Sequence, residues 1–295
     1  MRIAFIGFGL IAGSVARAVR ANRDASSWTL TAWSPTGDGA ARAARDGVLD
    51  RAAAKPIDAI VESDLIVLAG PPTACLEAMD ALAGPWSAAL APDAVITDVA
   101  STKAALVARA DANGLRYVGG HPMAGLDTSG YAASRSDLFA DRPWVVVPGR
   151  VARPPDVERV TGLASACGAR VVQLDAAEHD RAVAGISHLP LVLAAALVEA
   201  VVGEGTGPAR PDWSTAAGLT AGGWRDMTRL ARGDPSMGAG IAVTNADALS
   251  ARLHDLIGVL ERWRTDLERT GGPDEAAIRA RLEAARARLE DSSPQ

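Results

Sequence analysis

Residues 119–125 read GGHPMAG and place one imidazole, that of His121, among small and rigid neighbours. Small residues leave room for a ligand at the backbone, and Pro122 fixes the direction in which the chain leaves the segment. The unperturbed pKa of histidine suits proton transfer near neutral pH. His121 is therefore our candidate for the chemistry, and the alternative is a buried turn histidine that bonds the backbone.

Residues 7–12 read GFGLIA and fit the dinucleotide-binding pattern G-x-G-x-x-G/A. They follow an apolar run and open a helical pattern, which is the context that this pattern needs. Gly7 permits the tight turn, Gly9 lets a pyrophosphate approach the amides at the helix start, and Ala12 with Gly13 keeps helix and sheet close. We predict a bound nicotinamide dinucleotide, and the candidate residues are Gly7, Phe8, Gly9, Leu10 and Ile11.

The type of dinucleotide depends on the end of the second predicted strand, where residues 32–36 read AWSPT. A carboxylate normally stands there and bonds the adenosine ribose, but none is present. Ser34 tolerates a ribose phosphate as well as a hydroxyl, and Arg42 or Arg45 follows on the next predicted helix. We predict NAD, with NADP as the alternative. Ser34 is either a cofactor-binding residue or the start of a turn.

Residues 98–103 read DVASTK where a predicted strand ends and a helix begins, at the edge of the sheet that binds ligands in such folds. Ser101 is a candidate for contact with substrate and cofactor. N-capping of the helix would also explain this serine. Lys103 is one of two lysines in the chain, beside Lys55, which makes it a second candidate.

The C-terminal part contributes one more histidine and a pair of arginines. His188 lies in an apolar helical stretch, where a core histidine with satisfied hydrogen bonds is favoured unless a ligand lies between the domains. Arg225 and Arg229 are four residues apart, which predicts both guanidinium groups on one helix face. Such a pair can grip a carboxylate through parallel hydrogen bonds or serve a surface ion-pair network.

Short apolar runs alternate with alanine-rich segments over the first 174 residues and then give way to helical patterns. The predicted strands are residues 3–6, 28–33, 65–69, 94–98, 117–119, 144–147 and 171–174, and the predicted helices include residues 10–20 and 102–112. This alternation predicts an α/β Rossmann-type fold with a doubly wound parallel sheet. The later helices are interrupted at residues 203–211, 222–223, 233–240 and 271–273, and the last one covers 274–289. We predict a dinucleotide-binding domain at 1–174 and an all-α domain at 175–295.

Composition indicates an ordinary globular protein. The formal net charge of −5 predicts no nucleic-acid partner. Cys75 and Cys167 lack metal-ligand or redox spacing, so we expect reduced, buried thiols and no metal site. The first residues enter a strand directly, which favours a cytoplasmic location. The apolar stretch 182–202 contains His188 and Glu199, which favours a helix buried at a domain or subunit core over a membrane span.

Taken together, the motifs resemble the prephenate and arogenate dehydrogenases of tyrosine biosynthesis. The agreement covers the glycine fingerprint, the D-x-x-S-x-K of residues 98–103, the GGHPMAG block, the SHLP of residues 187–190 and the G-G-x-R-D-x-T-R of residues 222–229. The resemblance implies oxidative decarboxylation of prephenate to 4-hydroxyphenylpyruvate, with hydride transfer to a nicotinamide dinucleotide. It also implies that the helical domain forms a homodimer, with the helix at 182–202 as part of the interface.

The same resemblance implies a role for each matched residue. His121 would be the general base for the substrate hydroxyl, and Ser101 would bond that hydroxyl and help to orient His121. The implied substrate-binding residues are Arg229 at the ring carboxylate, Arg225 and His188 near the side-chain end, and Lys103 and Asp127 nearby.

Two departures from the family pattern leave the substrate side chain open. Asp127 is one methylene shorter than the glutamate of some relatives, and Gly238 stands where others carry tryptophan. Arogenate or 4-amino-4-deoxyprephenate is therefore an alternative substrate. A non-catalytic dinucleotide-binding sensor is the alternative of another class, and the joint presence of His121, Ser101 and Arg229 argues against it.

Overall fold

The computed structural model describes residues 1–126, 128–205 and 207–291. Asp127, a predicted substrate-binding residue, lies outside these described residues. The chain forms two compact units, Met1–Leu249 and a second one that begins at Ser250. The predicted domain boundary at residue 174 stays a prediction.

The first unit contains a five-stranded parallel sheet in the order β3-β2-β1-β4-β5. Its strands are β1 (Arg2–Ile6), β2 (Thr29–Trp33), β3 (Arg51–Ala52), β4 (Leu65–Leu68) and β5 (Val95–Asp98). Helices connect and follow them, namely α1 (Leu10–Ala21), α2 (Asp38–Arg45), α3 (Pro56–Ile60), α4 (Pro72–Ala83) and α5 (Ala104–Ala112). The order reverses after β1, as it does in doubly wound nucleotide-binding folds. The predicted Rossmann-type fold is confirmed.

Three further strands, β6 (Val118–Pro122), β7 (Pro143–Pro148) and β8 (Arg170–Gln173), extend this architecture. A parallel bridge between Ile96 and Tyr117 joins β5 to the start of β6. The predicted sheet is parallel throughout, but β6 and β7 are antiparallel. The chain returns from β6 to β7 through a loop with one 3₁₀ turn, and a parallel return needs a crossover connection. A crossover helix, α6 (Pro154–Ala166), does precede β8, which is parallel to β7.

The sheet is buried on both faces, as expected for parallel strands covered by helices. Alternate residues of β1 belong to two apolar clusters: Ile3 and Phe5 to one, Ala4 and Ile6 to the other. Both cysteines are buried and free, as predicted, and burial raises the pKa of each thiol to about 12. The rigid sheet leaves the carboxyl ends of β1, β2, β5 and β6 to carry the candidate site.

Helices follow β8, and the elements are α7 (Ala176–Val183), a π-helical turn (Ala184–His188), α8 (Leu189–Val201), α9 (Trp213–Ala217), α10 (Gly222–Thr228), a 3₁₀ turn (Arg229–Arg232), α11 (Pro235–Thr244), α12 (Ala246–Leu267) and α13 (Glu275–Asp291). The predicted interruption at 233–240 is too long. Asp234 caps α11 by accepting hydrogen bonds from the amides of Ser236 and Met237, so the helix continues through its glycines. The predicted interruption at 222–223 is instead the first turn of α10.

One continuous helical stretch, Ala176–Val201, is long and apolar enough to cross a membrane by length and composition alone. Core helices of soluble proteins pass the same test, so this is weak evidence. Only 22% of its most apolar window is buried within the chain. The stretch is therefore largely uncovered in one copy of the protein, and its predicted burial between subunits stays a prediction.

Candidate active site

His121 lies at the carboxyl end of β6 and is only 7% exposed. Its Nδ1 is 2.8 Å from Nε2 of His179, and Nδ1 of His179 is 2.7 Å from Oδ1 of Asp180. The two imidazole rings meet edge to face, with their planes 75° apart. A strand of the sheet and helix α7 thus bring two histidines and a carboxylate into one hydrogen-bonded chain.

The order of partners assigns the tautomers in this chain. Burial opposes ionisation of Asp180, but hydrogen bonds from His179 and from the amides of Ala104 and Lys103 lower its pKa below the usual value. An ionised Asp180 can only accept, so a neutral His179 carries its proton on Nδ1. Nε2 of His179 then accepts the Nδ1 proton of His121. The lone pair of His121 is therefore on Nε2, which makes no hydrogen bond to any described residue.

The surroundings also keep His121 unprotonated. Burial, the charge of Lys103, and then His179 and His188 hold the pKa of His121 well below its usual value. A neutral ring with a free Nε2 is a proton acceptor at neutral pH. The alternative of a turn histidine bonded to the backbone is wrong, because His121 is on a strand and bonds another side chain.

A buried ion pair between Asp98 and Lys103 lies directly beneath this strand. Asp98 also accepts hydrogen bonds from the hydroxyl of Tyr117 at 2.6 Å and from the amides of Gly120 and Ala100 at 3.0 and 2.9 Å. Both charged side chains are fully buried. The network fixes the backbone one residue before His121.

The two glycines before His121 make room for this ion pair. A Cβ at Gly119 would lie 3.0 Å from Cδ of Lys103, and one at Gly120 would lie 2.6 Å from the carbonyl oxygen of Asp98. Our expectation that small residues at 119–120 leave space for a ligand is therefore wrong. They leave space for protein atoms under the strand.

Lys103 and Ser101 have surroundings different from those predicted. Nζ of Lys103 bonds Asp98 and is shielded from solvent, so this side chain does not point into an open substrate site. Ser101 is not the N-cap of α5, because α5 begins only at Ala104. Asp180 caps it instead, with one carboxylate oxygen 2.8 Å from the amide of Lys103 and the other 2.8 Å from that of Ala104. The half-buried Ser101 side chain stays free of hydrogen bonds to described residues.

His188 ends the π-helical turn and is fully buried. Its Nδ1 is 3.0 Å from Nδ2 of Asn245, while its Nε2 is buried without a hydrogen-bond partner among the described residues. His188 is thus a core histidine as predicted, but only one of its two ring nitrogens has a hydrogen bond of normal geometry. π-turns within helices occur frequently at functional sites, and this one turns an unsatisfied polar atom inward.

Arg225 and Arg229 are both exposed, and neither guanidinium group bonds another described side chain. Arg225 lies in α10, which ends at Thr228, and Arg229 opens the following 3₁₀ turn. The hydroxyl of Thr228 donates to the carbonyl of Trp224 at this junction. Arg229 keeps helical dihedral angles as the C-cap of α10, so the shared face of the two arginines stays a prediction, and both groups remain available to an anion.

The start of α1 fits a dinucleotide. Gly7 has a φ of +93°, and a Cβ there would lie 2.8 Å from the carbonyl carbon and oxygen of Ala69. A Cβ at Gly9 would meet nothing within 4 Å, and no side chain caps the helix. Space and free amides therefore coincide where a pyrophosphate would bind. Gly13 has a different role from the one predicted, since a Cβ there would lie 2.9 Å from Tyr131.

The remaining fingerprint residues contribute backbone and packing. Leu10 and Ile11 form the first turn of α1, and Phe8 is buried in edge-to-face contact with Phe5. Ser34 is buried at the end of β2, and its Oγ has no hydrogen-bond partner among the described residues. A free hydroxyl fits either a ribose hydroxyl or a ribose phosphate.

Two family models together match most of the chain. Residues 15–173 match "Prephenate dehydrogenase, nucleotide-binding domain", and residues 175–277 match "Prephenate dehydrogenase, dimerization domain". The chain belongs to the prephenate dehydrogenase family. The matched ranges include His121, His179 and Asp180.

Relatives and a solved structure agree with this membership. The chain is 31% identical to a prephenate dehydrogenase of Bacillus subtilis over 269 residues, which are 90% of this chain and 70% of that protein. It is also 31% identical to a cyclohexadienyl dehydrogenase of Zymomonas mobilis over 92% of this chain and 89% of that protein. The crystal structure of a putative prephenate dehydrogenase from Corynebacterium glutamicum is similar with a TM-score of 0.81 and 32% identity, over 99% and 90% of the two chains.

Several residues of the site have no local motif and escaped the sequence prediction, namely His179, Asp180 and Asn245. The small number of histidines was the one signal in the sequence, since the chain has only four. The structure brings three of them together here, namely His121, His179 and His188. Within the described ranges, no group of three or more His, Cys, Asp or Glu side chains could hold a metal ion.

Proposed function

We propose that this member of the prephenate dehydrogenase family oxidises and decarboxylates prephenate to 4-hydroxyphenylpyruvate, with His121 as the catalytic base. The observation that carries the proposal is the free, unprotonated Nε2 of a buried histidine whose other nitrogen bonds His179. A base of this kind is typically worth about 10²–10⁴ in rate.

His121 serves the reaction twice. Its Nε2 first takes the proton of the ring hydroxyl while the carbinol carbon loses hydride. The ring carboxylate then leaves as carbon dioxide, and its bonding electrons complete an aromatic phenolate. The phenolate oxygen takes the same proton back from His121, so the histidine ends neutral. His179 and Asp180 stabilise the transient imidazolium by hydrogen bonding and charge.

A nicotinamide dinucleotide, when bound, supplies the hydride acceptor. Gly7, Gly9 and the first turn of α1, with Leu10 and Ile11, would hold its pyrophosphate, since these residues combine space with free amides. We propose NAD, with NADP as the alternative that Ser34 and the missing carboxylate after β2 permit.

The dianionic substrate needs fixed donors. Arg229 is proposed for the ring carboxylate and Arg225 for the side-chain end, because both guanidinium groups lack partners among the described side chains. Ser101, at the same edge of the sheet as His121, is proposed to bond the ring hydroxyl. Arogenate or an amino-substituted prephenate remains the alternative, because it shares the ring carboxylate that these donors address.

We also propose a homodimer in the cytoplasm. Helix α8 is apolar but incompletely covered. Two apolar side chains outside it are also exposed, Ile186 of the π-helical turn by 72% and Val243 of α11 by 71%. A second copy of the same surface would bury these side chains.

The test is formation of reduced nicotinamide, measured by absorbance, with prephenate and arogenate each crossed against NAD and NADP. We expect turnover with prephenate and loss of at least about a hundredfold in His121→Asn, with dinucleotide affinity nearly unchanged. An unaffected rate would remove His121 from the mechanism. No turnover in any of the four assays, with dinucleotide binding intact, would favour 4-amino-4-deoxyprephenate as the substrate or a non-catalytic dinucleotide-binding sensor.

A further inference from the structure

Asn245 joins His188 to the hydrogen-bonded chain of His121. The residue lies between α11 and α12 and is almost fully buried. Its Nδ2 is 2.9 Å from the backbone oxygen of Asp180 and 3.0 Å from Nδ1 of His188. One amide group therefore contacts both the residue that orients His179 and the third buried histidine of the site, His188.

The contacts determine which way the amide faces. A backbone carbonyl can only accept, so the atom beside Asp180 must be the nitrogen of Asn245 and not its oxygen. The second hydrogen of that nitrogen then points to Nδ1 of His188. A nitrogen that receives a hydrogen bond must hold a lone pair, so His188 carries its proton on Nε2.

The Nε2–H of His188 makes no hydrogen bond of normal geometry to a described residue, and the atom is buried. A buried donor without an acceptor destabilises the folded protein, so a ligand oxygen that accepts from it would be bound favourably. The backbone carbonyl of Ser101 acts on the ring as a weak hydrogen-bond acceptor and Asp180 acts as a charge, but the Ser101 contact does not reach hydrogen-bond geometry at Nε2. The free donor of His188 therefore lies beside the edge of the sheet at which a ligand binds.

We propose that Asn245 is a positioning residue that holds His188 as a neutral Nε2–H donor to an oxygen atom of the bound substrate. The identity of the ligand rests on the proposed function, whereas the tautomer rests on the contacts of Asn245 alone. An Asn245→Ala change would remove the donor to Nδ1, so the ring would be free to adopt either tautomer or to take a second proton.

The charged groups around His188 agree with a neutral ring. Burial lowers the pKa of His188 to about 4, although the carboxylate of Asp180 and the backbone of Ser101 act in the opposite direction. The neighbouring titratable rings are His179, which also lowers that pKa, and His121. A second proton on His188 would have to sit on Nδ1, against the N–H of Asn245. Positive charge for substrate carboxylates must then come from elsewhere, and Arg225 and Arg229 are free to supply it.

The decisive experiment is long-range ¹H–¹⁵N NMR of the full-length protein without ligand, across pH 6 to 8. Four histidines make assignment practical, and His188→Gln identifies the signals of interest. We expect a protonated Nε2 and an unprotonated Nδ1 at His188 throughout. Asn245→Ala should give averaged signals that titrate at higher pH.

Thr244→Val is the matched control for Asn245→Ala. Thr244 precedes Asn245 and its hydroxyl bonds Gly240 and Thr102, so it shares the location without touching His188. This variant should leave the His188 signals as they are. A proton on Nδ1 of His188 in the unsubstituted protein, or unchanged signals in Asn245→Ala, would overturn the inference.

Kinetics give a second, independent readout. If His188 donates to substrate in the ground state, Asn245→Ala should raise KM for prephenate roughly two- to tenfold, the value of one neutral hydrogen bond, and change kcat less. A fall in kcat with constant KM would contradict donation to the bound substrate. Absence of prephenate turnover with the expected NMR signals would refute the proposed function and leave the tautomer standing, so the two failures are distinguishable.

Discussion

Asp180 accepts a hydrogen bond from the ring of His179 at 2.7 Å and thereby sets which nitrogen of that ring carries the proton. The same carboxylate accepts the two backbone amides that open α5. Helix α7 is thus joined to the end of the parallel sheet through the group that orients the base. Any change in this contact reaches both the protonation pattern of His121 and the packing of α5.

Asp180→Asn should lower kcat by about 10²–10⁴ with little change in dinucleotide affinity. The carboxylate uses both oxygens, because Oδ1 accepts from His179 and the amide of Lys103 and Oδ2 accepts from the amide of Ala104. With its nitrogen towards His179, the new side-chain amide would donate to Nδ1 of that ring, and His121 would have to accept through Nδ1 and lose its free Nε2. With its oxygen towards His179, the tautomers stay, but the negative charge that stabilises the imidazolium of His121 is gone, so turnover falls in either orientation. Steady-state rates with prephenate and dinucleotide titration by fluorescence measure both quantities.

Glu178→Gln is the matched control, since Glu178 is an exposed carboxylate two positions earlier in α7. Its activity should equal that of the unsubstituted protein. Circular dichroism of Asp180→Asn separates loss of the base from loss of the fold. A well-folded Asp180→Asn protein with full turnover would show that the tautomer chain does not matter for catalysis.

The buried His188 predicts a fall in stability on acidification. Its pKa is about 6.5 in the unfolded chain but about 4 in the folded protein. Between these values the unfolded state binds more protons, so the free energy of unfolding falls as the pH falls from about 6.5 to about 4. His121, whose pKa is also lowered, acts in the same direction.

Urea unfolding midpoints at pH 7.5 and pH 5 measure this effect. The difference between the two midpoints should be smaller in His188→Gln, which has no proton to bind. His254→Gln, a change in an exposed ring, is the control and should keep the full difference. Equal differences in all three proteins would show that protonation of His188 is not coupled to unfolding.

Gly120→Ala should destabilise the protein by roughly 1–3 kcal/mol, because the new Cβ would lie 2.6 Å from the backbone oxygen of Asp98. Backbone cannot move aside as a flexible side chain does, so β6 must shift and His121 with it. Gly125→Ala is the matched control, since a Cβ there meets nothing within 4 Å. Chemical denaturation gives both values. A Gly120→Ala protein as stable as Gly125→Ala would mean that β6 can shift without loss in the free energy of unfolding.

The sequence predicted the layers of the fold well because a buried parallel strand is a short run of apolar residues that can be recognised locally. The run LIVL of β4 is fully buried and reads as a strand by itself. The antiparallel pairing of β6 with β7 has no local sequence pattern, since the direction of β7 depends on the path of the connecting loop. The continuation of α11 through Gly238 and Gly240 depends on a cap at Asp234, which outweighs two unfavourable residues.

The same distinction explains the candidate site. His121 and the fingerprint glycines stand in contiguous motifs, so their types and spacing indicated them. His179 lies 58 positions from His121 and Asn245 lies 57 positions from His188, and only tertiary structure brings these pairs together. The alternative of Ser101 as a cap is wrong because the true cap, Asp180, comes from a distant helix.

Leu193→Asp tests the proposed dimer. Leu193 is half-buried on α8, which belongs to an apolar stretch that is largely uncovered in one copy, and a carboxylate there would be desolvated by a partner subunit. We expect monomers or aggregates by light scattering at a concentration where the unsubstituted protein is dimeric. Val61→Asp is the control, because Val61 is 51% exposed and follows α3, far along the chain from α8. It should stay dimeric, and a dimeric Leu193→Asp would place the subunit interface on another surface.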